Sequence, residues 1–235
     1  MRIILSLLFA LAVFNVKADP GNETTLTWGK VLARIVDSNG MVDYNAAKND
    51  AEFKKVIQLF SSQHPDESWT KEEAMAFWIN VYNAYTIKLV AENLPLKSIK
   101  DIGDPWDIKF IELQGKTYSL NQIEHEILRP VYKDPRIHFA VNCASFSCPK
   151  IPRYPMTAEK LDMQLNKLSS DFLRDTDRNS ISSSSMELSQ IFTWFESDFG
   201  GKKGVIDFIN TYGTVKVDAS AKVTYQEYDW SLNAQ

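Results

Sequence analysis

The segment at residues 70–94, TKEEAMAFWINVYNAYTIKLVAENL, constrains the fold more than any other. Thr70 stands where an N-cap belongs, and Glu73 three residues later completes a capping box. Glu72 and Glu73 suit the positive end of the helix dipole. From Ala74 to Ala91 the side chains are apolar or aromatic nearly all round, and Pro95 ends the run. A helix with no polar face is expected at the centre of a domain, with other elements packed around it. Asn80 and Asn83 interrupt the pattern, three residues apart on one face. A buried amide without partners costs about 1–3 kcal/mol. These two must therefore pin a neighbouring loop, orient a catalytic group or hold a substrate.

The remaining elements are read around that helix. Residues 24–37 form an amphipathic helix, with Leu26, Val31, Leu32 and Ile35 at helical spacing. Residues 46–60 form another, and His64 follows in the loop SSQHPDES. DIKFIELQGKTYSL reads as a hairpin turning at Gln114-Gly115. Ser119 and Gln122 make a second capping box, for a helix that runs to about Arg129 and ends at Pro130. RIHFAVNC predicts a strand over residues 136–142, covered on both faces because its alternation is imperfect. Residues 157–174 are helical, RNSISSSSMEL is a polar connector, and LSQIFTWFESDFGG is an aromatic helix closed by glycines. A short helix VIDFINTYG and an extended KVTYQEYDWSLN complete the chain. With no repeats and no clear boundary, this is one helix-rich α+β domain with a small, mostly antiparallel sheet.

Residues 1–18, MRIILSLLFALAVFNVKA, open with one basic residue, Arg2, followed by an apolar run of about twelve residues and a small-residue ending, Val16-Lys17-Ala18. That is the pattern of a secretory signal peptide, and the run is short of the roughly 20 residues a spanning helix needs. Residues 19–235 are then the mature domain, exported to a periplasmic or extracellular setting, with no membrane span. Removing Arg2 and Lys17 leaves 24 basic and 30 acidic residues, a net charge of −6. A mildly acidic chain without a basic run argues against nucleic acid as its main partner. Peptides or other envelope proteins suit the compartment better.

Chemistry concentrates in residues 135–149, PRIHFAVNCASFSCP, which hold one of three histidines and both cysteines. Zinc would find Cys143, Cys148 and His138 but no fourth ligand. A disulfide between Cys143 and Cys148 is compatible with the four residues between them. Alternatively Cys143 is a nucleophile, which requires a histidine or a helix N-terminus to lower its pKa. His138 would point away from Cys143 along a regular strand, so His125, in NQIEHEILRP, is the preferred partner. Glu124, next to His125, faces about 100° away on an α-helix, and Arg129 lies one turn further on. Glu124, Arg129, Asn83 and Asn142 are candidate substrate-binding residues; Cys143, His125, His138 and Asn80 are candidate catalytic ones. No cofactor motif is present.

Five ordered blocks, FWINVYNAYTIKLV, LNQIEHEILRP, DPRIHFAVNCASFSCPKIP, LSQIFTWFESDFG and YDWSLN, together resemble the domain-of-unknown-function 547 family across residues 69–233. The resemblance implies one compact domain. It implies a family pattern that includes the positions of Cys143, His125 and His138, while the position of Cys148 varies. That favours Cys143 acting alone over a shared disulfide or metal site. A papain-like or transglutaminase-like arrangement is an analogy only, since here both histidines precede the cysteine. Three functions follow as expectations. The first is a cysteine-dependent hydrolase or acyl transferase on peptide-like substrates, with Asn80 or Asn142 orienting the histidine or holding the oxyanion. The second is a non-catalytic envelope binding module using the aromatic segments. The third is a thiol-redox protein using both cysteines.

Overall fold

The computed structural model describes residues 20–235, so the expected signal peptide at residues 1–18 lies outside the described residues. The fold is α+β and helix-dominated, with a two-stranded and a three-stranded sheet. Its helices are α1 (Pro20–Ile35), α2 (Tyr44–Asn49), α3 (Ala51–Ser61), α4 (Lys71–Asn93), α5 (Leu161–Arg174), α6 (Ile191–Trp194) and α7 (Gly201–Tyr212). The all-round apolar segment is α4. Every residue from Met75 to Ala91 except Lys88 is buried, and Thr70 and Glu73 make the capping box in both directions. On its flanks pack α2, α3 and the helix that follows the hairpin.

The hairpin pairs β1 (Ile111–Leu113) with β2 (Lys116–Tyr118) in antiparallel register. Gln114 and Gly115 both take positive φ, 46° and 79°, as a two-residue type I′ turn requires. The second sheet has the order β3 (Ser180–Ile181), β4 (Ser185–Leu188), β5 (Lys222–Tyr225), with β4 and β5 parallel. Part of the serine-rich stretch read as a connector is thus a strand pair. Met186 and Leu188 of β4 supply the buried alternation, and the serine-rich composition concealed it.

Other expectations need correction. The helix over residues 46–60 is two helices. Asp50 leaves the helical conformation to accept hydrogen bonds from the N–H groups of Glu52 and Phe53, restarting the chain as α3. Leu26, placed in the apolar stripe of α1, is exposed, and Trp28 fills the core instead. The helix expected to stop before Pro130 continues through it as a π-helix, Gln122–Tyr132. Residues 136–142 are not a strand. Pro135–Phe139 is a 3-10 turn started by Asp134, whose carboxylate accepts from Arg136 N–H, and the chain then enters an irregular loop. Proline at the first position and a capping aspartate favour a helical start over β-pairing.

The two amides of α4 hold this irregular chain. Asn80 donates to Met156 O at 2.8 Å and accepts from Met156 N–H at 2.9 Å. Asn83 donates to Ala140 O and accepts from Asn142 N–H, both at 2.8 Å. Both side chains are buried, so truncation would strand main-chain groups away from water. Asn80→Ala and Asn83→Ala are each expected to lower unfolding free energy by roughly 1–3 kcal/mol per orphaned group, measured by urea denaturation. Asn83→Ala alone should also change the alkylation rate of Cys143, because it releases the loop that carries it.

Candidate functional site

The loop after the 3-10 turn is built by Asn142. Its Oδ1 accepts from Ala144 N–H at 2.8 Å and its Nδ2 donates to Pro149 O at 2.7 Å, closing the loop at both ends. Ala144 takes φ of 64°, a left-handed conformation uncommon for a residue with a Cβ. Arg178, buried, donates through Nε to Cys148 O and through Nη2 to Phe146 O. The C-terminal segment lies across the same loop: Phe146 N–H donates to Ser231 O and Asn233 N–H to Ala144 O. This strap carries Tyr228 and Trp230 over the cysteines.

Cys143 is half-buried and Cys148 buried, and both are free thiols. Their sulfurs lie 3.0 Å apart as a hydrogen-bonded thiol pair, where the spacing had left a disulfide open as one alternative. Cys143 Sγ also meets Ser145 Oγ at 3.1 Å and the Tyr228 hydroxyl at 3.4 Å. The hydrogen bond from Cys148 is the main cause that pushes the Cys143 thiol down to about 7; burial opposes it, and Ser145 and Tyr228 assist. Burial pushes the Cys148 thiol and the Tyr228 phenol up, so both keep their protons and act as donors.

Cys143 opens onto a pocket of about 200 Å³ whose walls include Glu124, His125, His138, Cys148 and Tyr82. Its other walls are aromatic and apolar, among them Trp106, Trp194, Phe195, Tyr228 and Trp230. The two candidate histidines therefore share one pocket with the cysteine, although neither hydrogen-bonds it. They differ sharply in setting. His138 is buried, stacked on Phe195 with ring centroids 3.9 Å apart, and its Nε2 lies 2.8 Å from Asp198 Oδ2. Arg129 grips the same carboxylate, with Nε to Oδ2 at 2.6 Å and Nη2 to Oδ1 at 3.0 Å. His138 first and Arg129 second hold the Asp198 carboxyl well below the usual carboxylate range. The ionised carboxylate fixes the His138 proton on Nε2 and leaves Nδ1 as the basic nitrogen. Nδ1 has no hydrogen-bond partner among the described residues. His125 is exposed, and its Nδ1 accepts from Arg129 Nη1 at 2.5 Å.

The preference for His125 over His138 rested on a strand that the chain does not form. A 3-10 turn followed by an irregular loop brings His138 and Cys143 to one pocket. Glu124 also lines the pocket and accepts from the Tyr82 hydroxyl at 3.0 Å. Arg129 braces Asp198 and His125 rather than facing the pocket. Asn80, Asn83 and Asn142 are not pocket residues either. Their amides are engaged with main chain at both ends, and they position the loops. Sequence reasoning missed Asp198, Ser145 and Tyr228. The acid in FESDFG was the available signal for Asp198, but its register relative to His138 is set only by tertiary packing.

Among the described residues, no group of three or more His, Cys, Asp or Glu side chains is placed to hold a metal ion, and no helix is long and apolar enough to cross a membrane. A larger groove of about 660 Å³ lies between Asp37, Lys150, Arg153 and Asp171. Its charges are engaged in pairs such as Lys150–Asp175 and Lys167–Asp171, and no cysteine or histidine lines it.

Alkylation should report the activated thiol. The rate at Cys143 is expected to rise through pH of about 7, below the ordinary thiol value of about 8.5. Cys148→Ala removes the donor that stabilises the thiolate, so its midpoint is expected to move up toward the ordinary value. A pH–rate profile by mass spectrometry checks both.

Comparison with known proteins adds one assignment to this geometry. No curated protein and no solved structure matches the chain. A family described as "Protein of unknown function, DUF547" matches over residues 67–173. That span contains α4, the π-helix, His125, His138 and both cysteines, while Asp198, Tyr228 and the two C-terminal sequence blocks lie beyond it. Over residues 67–173, then, the chain is similar to the DUF547 family.

Proposed function

We propose that the protein is a cysteine-dependent acyl transferase or hydrolase acting on peptide-like substrates outside the cytoplasm. The observation that carries this reading is His138, held by Asp198, sharing one pocket with a thiol pushed down to about 7. In this reading the Cys143 thiolate attacks the carbonyl carbon and forms a thioester. His138 Nδ1 carries the proton that the leaving amine or alcohol takes. Water, deprotonated by the same nitrogen, then releases the acid and restores the thiol. The Tyr228 hydroxyl, 2.9 Å from Ser145 Oγ, is the available donor for the oxyanion, a role expected earlier for an asparagine. Contact between His138 and Cys143 would form in the substrate complex, since catalytic hydrogen bonds commonly tighten there. A pocket of about 200 Å³ suits one side chain or a short acyl group.

An activated ester or thioester probe tests the reading. Acylation is expected at Cys143 and nowhere else, and Cys143→Ala should abolish it. His138→Ala should slow it by about 10²–10⁴-fold, with His125→Ala far milder. Asp198→Asn should lower kcat with little effect on KM. Normal acylation in His138→Ala would end the proposal. Export is tested separately: the mature protein in the culture's envelope or medium fraction should begin at Asp19.

One observation favours the binding-module reading. Trp194 is 46% exposed at the pocket mouth, stacked with Trp230 at 5.7 Å and tilted on Tyr228 at 4.7 Å. Such a rim would grip an extended peptide without chemistry. A complex retained by Cys143→Ala and lost in Trp194→Ala would support it.

A further inference from the structure

The acyl-transfer reading uses one sulfur of a pair. The other, Cys148, is buried, lies 3.0 Å from Cys143 Sγ, and also accepts from Cys143 N–H at 3.0 Å. The loop that joins them is held by Asn142 at both ends and by Arg178 on the carbonyl of Cys148. A disulfide bond is about 2.05 Å long, so the sulfurs need approach by only about 1 Å inside a loop already fixed. Both cysteines line the pocket wall, and an external oxidant meets the half-buried Cys143 more readily than the buried Cys148.

We propose that Cys143 and Cys148 form an oxidisable dithiol that consumes hydroperoxides and closes the pocket's nucleophile into a disulfide. The inference rests on Cys143 being the nucleophile, as the proposed function does, but needs no acyl substrate. The Cys143 thiolate attacks the outer oxygen of the hydroperoxide. An S–O bond forms, the O–O bond breaks, and the departing alkoxide or hydroxide takes a proton, for which the Tyr228 hydroxyl is a nearby donor. Cys143 is then a sulfenic acid, and the peroxide has been reduced to an alcohol or water. The Cys148 sulfur attacks the sulfenic sulfur; the S–S bond forms, the S–O bond breaks, and hydroxide leaves with the Cys148 proton as water. Two thiols have been oxidised and one peroxide reduced. An external dithiol returns the pair to the reduced form. While the disulfide persists, Cys143 cannot acylate.

The test uses the full chain, reduced, then exposed to one equivalent of hydrogen peroxide and alkylated with iodoacetamide before intact-mass measurement. The expected product has lost two hydrogens, takes no alkyl group, and regains both alkylation sites after dithiothreitol. Cys148→Ser should instead hold a sulfenic acid at Cys143 that dimedone traps. The inference is overturned if the wild type keeps two alkylatable thiols, or if Cys143 gains oxygen while Cys148 stays alkylatable. The wild-type measurement decides alone if the variant fails to fold. The reduced protein, given the acyl probe in parallel, reports on the other reading. Disulfide closure without acylation removes acyl transfer and leaves this inference standing; acylation without closure does the reverse.

Discussion

The structure depends on a helix that has no face to give to water. Once α4 is surrounded, its two amides must be satisfied by main chain, because no solvent reaches them. Asn80 takes the loop at Met156, and Asn83 takes the loop from Ala140 to Asn142. Each forms a two-way pair, accepting and donating, which fixes direction as well as distance. The second pair ends one residue before Cys143. The position of Cys143 is thereby tied to the most buried element of the fold, and the loop that carries it can remain irregular without being loose. The C-terminal strap adds a second tie, through Asn233 to Asn142 and Tyr44.

Elements whose signal is local were legible in the sequence. The capping box of α4, the I′ turn at Gln114-Gly115 and the Ser119–Gln122 box are each written within four residues. That both cysteines and two of the three histidines line one pocket was also suggested by their closeness in sequence. What failed was the geometry between them. The apolar run of residues 136–142 suits a buried strand by composition, but Asp134 and Pro135 start a turn. Composition and capping pointed in opposite directions there, and the capping residues set the local backbone. Asp198 was illegible for another reason. Its partner lies 60 positions earlier in the chain, and no spacing rule reaches that far.

The roles of the two histidines then follow from charge placement. Arg129 touches both: it holds the carboxylate that orients His138, and it donates to the ring nitrogen of His125. Its guanidinium occupies the Nδ1 lone pair of His125, while the carboxylate it braces pairs with Nε2 of His138. One cation thus engages one ring directly and the other only through Asp198. Asp198 remains ionised to low pH because two donors share it. Its contribution to stability is therefore present above the unfolded carboxylate value of about 3.9 and fades only as pH falls through its lower folded value.

The π-helix that carries Glu124, His125 and Arg129 shows the same logic at the backbone level. Eleven residues in this winding are unusual, because its hydrogen bonds are normally confined to single-turn bulges. Pro130 within it has no N–H to contribute, and Lys133 in the left-handed conformation ends it by bonding to Arg129 O. In this winding Glu124 and His125 both line one pocket while Arg129 reaches Asp198. Backbone irregularity of this kind persists where surrounding contacts over-determine it. Here those contacts are Tyr82 on Glu124, Asp198 on Arg129, and Phe195 beneath both Arg129 and the His138 ring. The departure from regular structure falls on the segment that puts Glu124 and His125 on the pocket wall and Arg129 on Asp198 behind it.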